Sequence, residues 1–256
     1  MTNQMAEKMN KYGQRGEKYR YMPGSKKPFS LSRSKIDLFL ECPRCFYLDR
    51  RVGLGRPGMP GWPLNSAVDE LLKKEFDLLR KNGEAHAIME KYKIDAVPFQ
   101  HPDIDTWRAN FTGRRFLHKP TNLEVFGAVD DIWVNRKGEL IIVDYKATST
   151  SKEISLDDEY KEGYKKQIEI YQWIYRQNGH KVSDTGYIVY ANGIKDRDKF
   201  DGILEFEMSL HPHKGDDSWV EPTIYEMKKC LDSDKIPDPN PNCEFCKYRE
   251  LIRKEE

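Results

Sequence analysis

Two sets of residues in this 256-residue chain have the types and spacing to do chemistry. The first lies in GAVDDIWVNRKGELIIVDYKATS, residues 127–149, where the apolar run Ile141, Ile142, Val143 leads into Asp144, Tyr145 and Lys146. Side chains alternate along a strand, so Asp144 and Lys146, two apart, face the same side. The apolar run before it, joined through Asn135, Arg136, Lys137 and Gly138, reads as a hairpin partner that brings Asp130 or Asp131 alongside. Alternation does not choose between these two, because sequence neighbours point to opposite faces. Carboxylates held together repel. A hard divalent ion, Mg2+ or Mn2+, is their natural neutraliser, since it takes oxygen ligands and keeps several waters. Such an ion beside a lysine suits hydrolysis of a phosphodiester: the ion makes water a nucleophile, and the ammonium orients it or balances charge in the transition state.

The second set is Cys42-x-x-Cys45 with Cys243-x-x-Cys246. The short spacing lets both sulfurs of a pair reach one ion or cluster, and two pairs complete a four-thiolate centre. Closing a loop of about 200 residues in this way ties distant parts of the chain together. Four thiolates leave no position for substrate, so the centre reads as structural. The fifth cysteine, Cys230, shares an apolar stripe with Ile224 and Met227 and reads as a small buried residue. An odd cysteine count fits thiols kept reduced better than a disulfide framework.

These groups need elements to position them. Helical spacing appears over residues 65–80 (Val68, Leu71, Leu72, Phe76, Leu79), over 164–177 and over 220–231, and a short helix carrying Ile36, Phe39 and Leu40 runs into the first cysteine pair. Strand-like runs cover 123–134, 139–145, 185–191 and 199–210; residues 52–63 are rich in Gly and Pro, and 82–120 show no clear period. The order predicts a mixed central β-sheet flanked by helices, a single α/β domain over 29–256. Before it, residues 1–28 carry seven basic side chains, among them Lys8, Lys11, Arg15 and Arg20, against Glu7 and Glu17, and read as a flexible basic arm. Over the whole chain 43 basic residues offset 42 acidic ones, so a polyanionic partner has to be recognised locally. No apolar run approaches the roughly 20 residues that cross a bilayer, and MTNQMAEKMN lacks a secretory core, so the expectation is a cytoplasmic protein with no membrane partner.

Gly127-x-x-Asp130, then Asp144-x-Lys146 after an apolar strand, then Gln167-x-x-x-Tyr171 on the next helix resembles the PD-(D/E)xK nuclease superfamily, in particular its RecB-like exonuclease branch and the related CRISPR-adaptation nucleases. The resemblance implies a restriction-endonuclease-like core and a Mg2+- or Mn2+-dependent deoxyribonuclease, an exonuclease acting on single strands or duplex ends of DNA. It assigns Asp130 and Asp144 to the metal and Lys146 to the attacking water, with Gln167 and Tyr171 orienting the lysine or contacting nucleic acid. Independently, Gln167 and Tyr171 at i and i+4 share a helix face. Relatives often carry a metal-binding histidine in G-x-x-x-H-x-x-L; here the stretch is NSAVDELL, residues 65–72, and Asp69, or Glu70 beside it, stands in for that histidine. Relatives also staple their termini with a [4Fe-4S] cluster on one upstream and three downstream cysteines. This chain has two of each, and the resemblance implies a [4Fe-4S] cluster on Cys42, Cys45, Cys243 and Cys246, with tetrahedral Zn2+ as the alternative that the two-plus-two set also suits. Trp173 and Tyr175, with the arm's Lys and Arg side chains, are expected to hold a strand by stacking and charge. The alternative reading is a non-cleaving nucleic-acid-binding or assembly subunit with the same fold and cysteine staple.

Overall fold

The computed structural model describes residues 14–58, 61–158 and 161–256. In chain order its elements are β1 (Phe29–Ser32), α1 (Arg33–Glu41), α2 (Pro43–Tyr47), α3 (Pro63–Asn82), α4 (Ala87–Lys91), β2 (Ala96–Pro98), α5 (Ile104–Arg108), β3 (Arg114–His118) and β4 (Leu123–Gly127). There follow β5 (Asp131–Asn135), β6 (Leu140–Thr148), α6 (Glu162–Gln177), β7 (Thr185–Gly193), β8 (Phe206–Lys214), α7 (Val220–Asp232) and α8 (Glu244–Glu255). They form two compact units, one of Met1–Gly61, Leu117–Val125 and Trp219–Glu256, the other of Trp62–Phe116 and Phe126–Ser218. The expected mixed α/β architecture is present.

The second unit is built on a five-stranded sheet in the order β2-β5-β6-β7-β8, antiparallel except for the parallel pair β6 and β7. A parallel neighbour needs a crossover, and α6 supplies it between β6 and β7. Register decides what each face carries. Asp131 opposes Val143 and Trp133 opposes Ile141, whereas Ile132 opposes Ile142 one step round on the other face. The Trp133, Ile141, Val143 and Tyr145 face packs on Leu72 and Phe76 of α3 and on Ile88 and Met89 of α4. Phe76 is fully buried, its ring 5.6 Å from those of both Trp133 and Tyr145. Truncating a residue so placed costs about 3–5 kcal/mol. Helix α6 buries most of its second half, with Gln167, Ile168, Ile170, Tyr171, Gln172, Trp173, Ile174 and Tyr175 all buried, while Glu162 at its start stays exposed.

Three expectations change. The run over 123–134 is not one strand: β4 ends at Gly127, residues 128–130 turn, and β5 starts at Asp131 in a different sheet. At this break Gly113, with φ +55°, brings its backbone against the Gly127 carbonyl, where a Cβ would collide. The last strand lies at 206–214 rather than 199–210, because Asp201 and Gly202, both at positive φ, belong to the turn ahead of it. As the sheet's edge strand, β8 tolerates Pro212. Trp173 and Tyr175 are core residues, packed edge-on against Phe116 and Trp107, and are closed to a stacking base.

In the first unit Asp49 is wholly buried and is neutralised by Arg15 at 2.7 Å, Lys35 at 2.7 Å and Arg50 at 2.8 Å, which together hold its carboxyl well below the usual range against the upward push of burial. Residues 1–13 of the basic arm, with Lys8 and Lys11, lie outside the described residues. Further along, Tyr21 is buried and donates to Asp232 at 2.6 Å. Cys230 is half-buried rather than fully buried, and burial raises its thiol to about 11. Among the described residues no helix is long and apolar enough to cross a membrane.

Candidate active site and thiolate centre

The β5–β6 hairpin settles which of the adjacent aspartates joins Asp144. Asp131 opens β5 on the Val143 face, so it points away from Asp144 into the Phe76 core. There Arg80 pairs with its Oδ1, while the Tyr145 hydroxyl donates to Oδ2 at 2.8 Å and the Ile132 N–H to Oδ1 at 2.8 Å. Arg80 and Arg108 both also bind Asp77, at 3.0 and 2.9 Å, so a buried ionic network braces the hairpin from beneath. Asp130, in the turn before β5, accepts the Tyr145 N–H at 2.9 Å through Oδ2, which fixes it beside the end of β6.

Asp144 and Lys146 share a face as alternation requires, and Lys146 Nζ pairs with Asp144 Oδ2. The other Asp144 oxygen accepts from Gln167 Nε2 at 2.6 Å. Asp144 is fully buried, and burial, partly offset by Lys146 and reinforced by the charge of Asp130, pushes its carboxyl up to about 7. Burial pulls Lys146 down, but Asp144 and Asp130 outweigh it and hold the lysine above its ordinary value. Its ammonium also lies 4.9 Å from the Tyr164 ring centroid, over the face of the ring.

Asp69 comes from the first half of α3, whose start is tied to β6 by Asn65 Nδ2 donating to the Ala147 carbonyl at 3.0 Å. Burial and the charge of Asp130 raise the Asp69 carboxyl, and Lys73 and Lys146 pull against that rise. Glu70, the alternative, is exposed. Lys73, one turn on, pairs with Asp69 at 2.8 Å and lies 3.6 Å from Asp130. It is a member of the cluster that motif reading passed over, though its i, i+4 spacing from Asp69 is a recognisable pairing signal. Gln167 thus restrains an aspartate rather than the lysine. Tyr171 donates to the Ala128 carbonyl at 2.6 Å and so fixes the turn that carries Asp130.

Three carboxylates facing two ammonium groups form a donor set of hard oxygens with a net negative charge, which suits Mg2+ or Mn2+. Asp130 and Asp144 could offer oxygens to such an ion, and Asp69 lies close enough to Asp130 to feel its charge.

In the first unit Cys42 and Cys45 lie at the start of α2, and Cys243 and Cys246 at the start of α8. All four sulfurs lie within 4.8 Å of one another and are buried, the one such group of possible metal ligands among the described residues. Burial would raise Cys42, yet the amides of Asn240 and Cys45 hold it down to about 7, while burial pushes Cys45 up to about 11. Arg56, from the Gly/Pro-rich stretch, donates to Cys243 Sγ at 3.3 Å and pairs with Glu41 at 2.6 Å. Nothing in the sequence around Arg56 signals that contact.

The second unit is therefore a mixed α/β sheet that gathers aspartates and a lysine at the end of a hairpin, the arrangement of a metal-dependent nuclease. A family model described as the PD-(D/E)XK nuclease superfamily matches residues 59–251, and the chain belongs to that superfamily. Its members are generally nucleases that use divalent metals, so the substrate class is nucleic acid. Among solved structures the chain is similar to one described as "Crystal structure of SSO0001", at 15% identity over 89% of this chain and 87% of that one, with a TM-score of 0.38. No curated protein matches it.

Proposed function

We propose that this chain is a Mg2+- or Mn2+-dependent deoxyribonuclease of the RecB-like branch, an exonuclease hydrolysing phosphodiester bonds at the ends of single strands or duplexes. The observation that carries the reading is the hairpin that sets Asp130 and Asp144 side by side with Lys146 paired to the second of them. When bound there, a divalent ion lowers the pKa of a water and polarises a phosphoryl oxygen.

The chain's own residues do the rest. Gln167 blocks rotation of the Asp144 carboxylate, and Tyr171 pins the turn of Asp130, so both oxygen donors are preorganised. Lys146, held charged by the two aspartates and laid over Tyr164, presents its ammonium where it can orient a water or stabilise charge building on the phosphate. Lys73 neutralises Asp69 and Asp130; a cation bound by these acids would release it towards the phosphates of a strand.

End-labelled linear single strands, duplexes and a circular single strand, each incubated with Mg2+ or Mn2+, test the reading. Linear substrates are expected to shorten from an end while the circle survives. Nicking of the circle would overturn the exonuclease reading, and no cleavage of any DNA with either metal would overturn the deoxyribonuclease reading.

A further inference from the structure

We propose that the four cysteines hold a single tetrahedral Zn2+ rather than the [4Fe-4S] cluster that likeness to iron–sulfur nucleases implies. Zinc–sulfur bonds of about 2.3 Å place four thiolates on a tetrahedron whose edges are 1.63 times longer, about 3.8 Å. The Sγ separations are 3.9 Å for Cys42–Cys246, 3.6 Å for Cys45–Cys243 and 3.8 Å for Cys45–Cys246. In a cubane each thiolate binds a different iron, so the four sulfurs stand outside a core of four irons and four sulfides. Sulfurs that all lie within 4.8 Å of one another, three of their separations at the edge length of a one-ion tetrahedron, leave no room for such a core.

The chain path agrees. Each Cys-x-x-Cys pair opens a helix in the same way, with the Phe46 N–H donating to the Cys42 carbonyl at 3.1 Å and the Lys247 N–H to the Cys243 carbonyl at 3.0 Å. Two equivalent pairs supply two ligands each to a common centre. Arg56 closes one side, its guanidinium on Cys243 Sγ and 4.4 Å from the Phe245 ring centroid, where it offsets part of the negative charge of a four-thiolate zinc site.

The test is to produce the chain with iron and zinc both supplied, to purify it without oxygen, and to measure zinc, iron, acid-labile sulfide and the visible spectrum. One zinc per chain is expected, with neither iron nor sulfide and no colour. A mercurial thiol reagent should release that zinc as the four thiols react, and Co2+ exchanged into the site should show the intense bands of a tetrahedral thiolate complex. Cys45→Ser and Cys246→Ser are expected to lose the zinc, whereas Cys230→Ser should keep it. If the first two variants do not fold, mercurial release from the native chain still decides the matter. Iron and sulfide at several atoms per chain with a broad visible absorption, a single iron, or a folded chain without metal would each overturn the proposal.

Discussion

The acid cluster and the thiolate centre are both sets of potential metal ligands, and they differ in how they handle their own repulsion. The cysteine sulfurs converge to within 4.8 Å and are buried, from 0% exposed at Cys42 to 7% at Cys45. The acids are instead balanced by ammonium groups, Lys73 on Asp69 and Asp130 and Lys146 on Asp144. The side chains of Asp130, Asp69 and Lys73 are 22%, 32% and 23% exposed. A complete, closed ligand set holds a structure together, whereas an incomplete one whose charges are balanced by movable lysines leaves positions for water and substrate. The contrast also runs within one dipeptide: Asp131 is sealed in an arginine network and Asp130 is half-open beside Asp144.

The sharpest way to break this contrast is to remove one negative charge at a time. Asp130→Asn is expected to lower cleavage by roughly 10³-fold with the melting temperature unchanged. Asp131→Asn, which strands Arg80 in the core, is expected to cost about 3–5 kcal/mol in denaturant unfolding. Equal effects on activity and stability at the two positions would erase the distinction. Gln167→Leu frees one oxygen of Asp144 and should weaken Mn2+ binding by about 10–100-fold, read by titration without DNA.

Protons sharpen the comparison further. Burial and the charge of Asp130 raise the Asp144 carboxyl to about 7 against the pull of Lys146, so the folded protein holds a proton there that the unfolded chain releases near its ordinary value of 3.8. Between these values the folded state binds more protons, and metal-free stability should fall as pH rises from about 4 to about 7. Over the same window Mn2+ affinity should climb, because the metal competes with that proton. A pH-independent affinity would contradict the burial of Asp144. The smallest effect is expected for Tyr171→Phe, about 1 kcal/mol through the lost bond to Ala128.

Much of this was legible in the chain. Alternation placed Asp144 with Lys146, helical spacing placed Gln167 with Tyr171, and paired spacing marked the four cysteines. What stayed hidden depends on register and on chain path. Asp130 and Asp131 are told apart by the register that sets Asp131 opposite Val143, which strand alternation alone does not give, although the Gly127-x-x-Asp130 resemblance favours Asp130. The break at 128–130 has no Pro to announce it, and Gly113, whose backbone approaches Gly127 there, lies outside the run. Trp173 and Tyr175 look like a stacking surface until their packing against Phe116 and Trp107 is known. The turn at Asp201 and Gly202, by contrast, carries an ordinary Asp-Gly signal that strand propensity in the following residues masked.

The central claim is that Asp144 and Lys146 act at one metal-dependent site for cutting DNA. Cleavage of labelled single-stranded DNA in Mn2+ by the native chain, Asp144→Ala and Lys146→Ala, with circular dichroism confirming the fold of each, tests it directly. The account predicts that the native chain cuts and that both variants, still folded, do not. A folded variant of either kind that cuts at the native rate would contradict it.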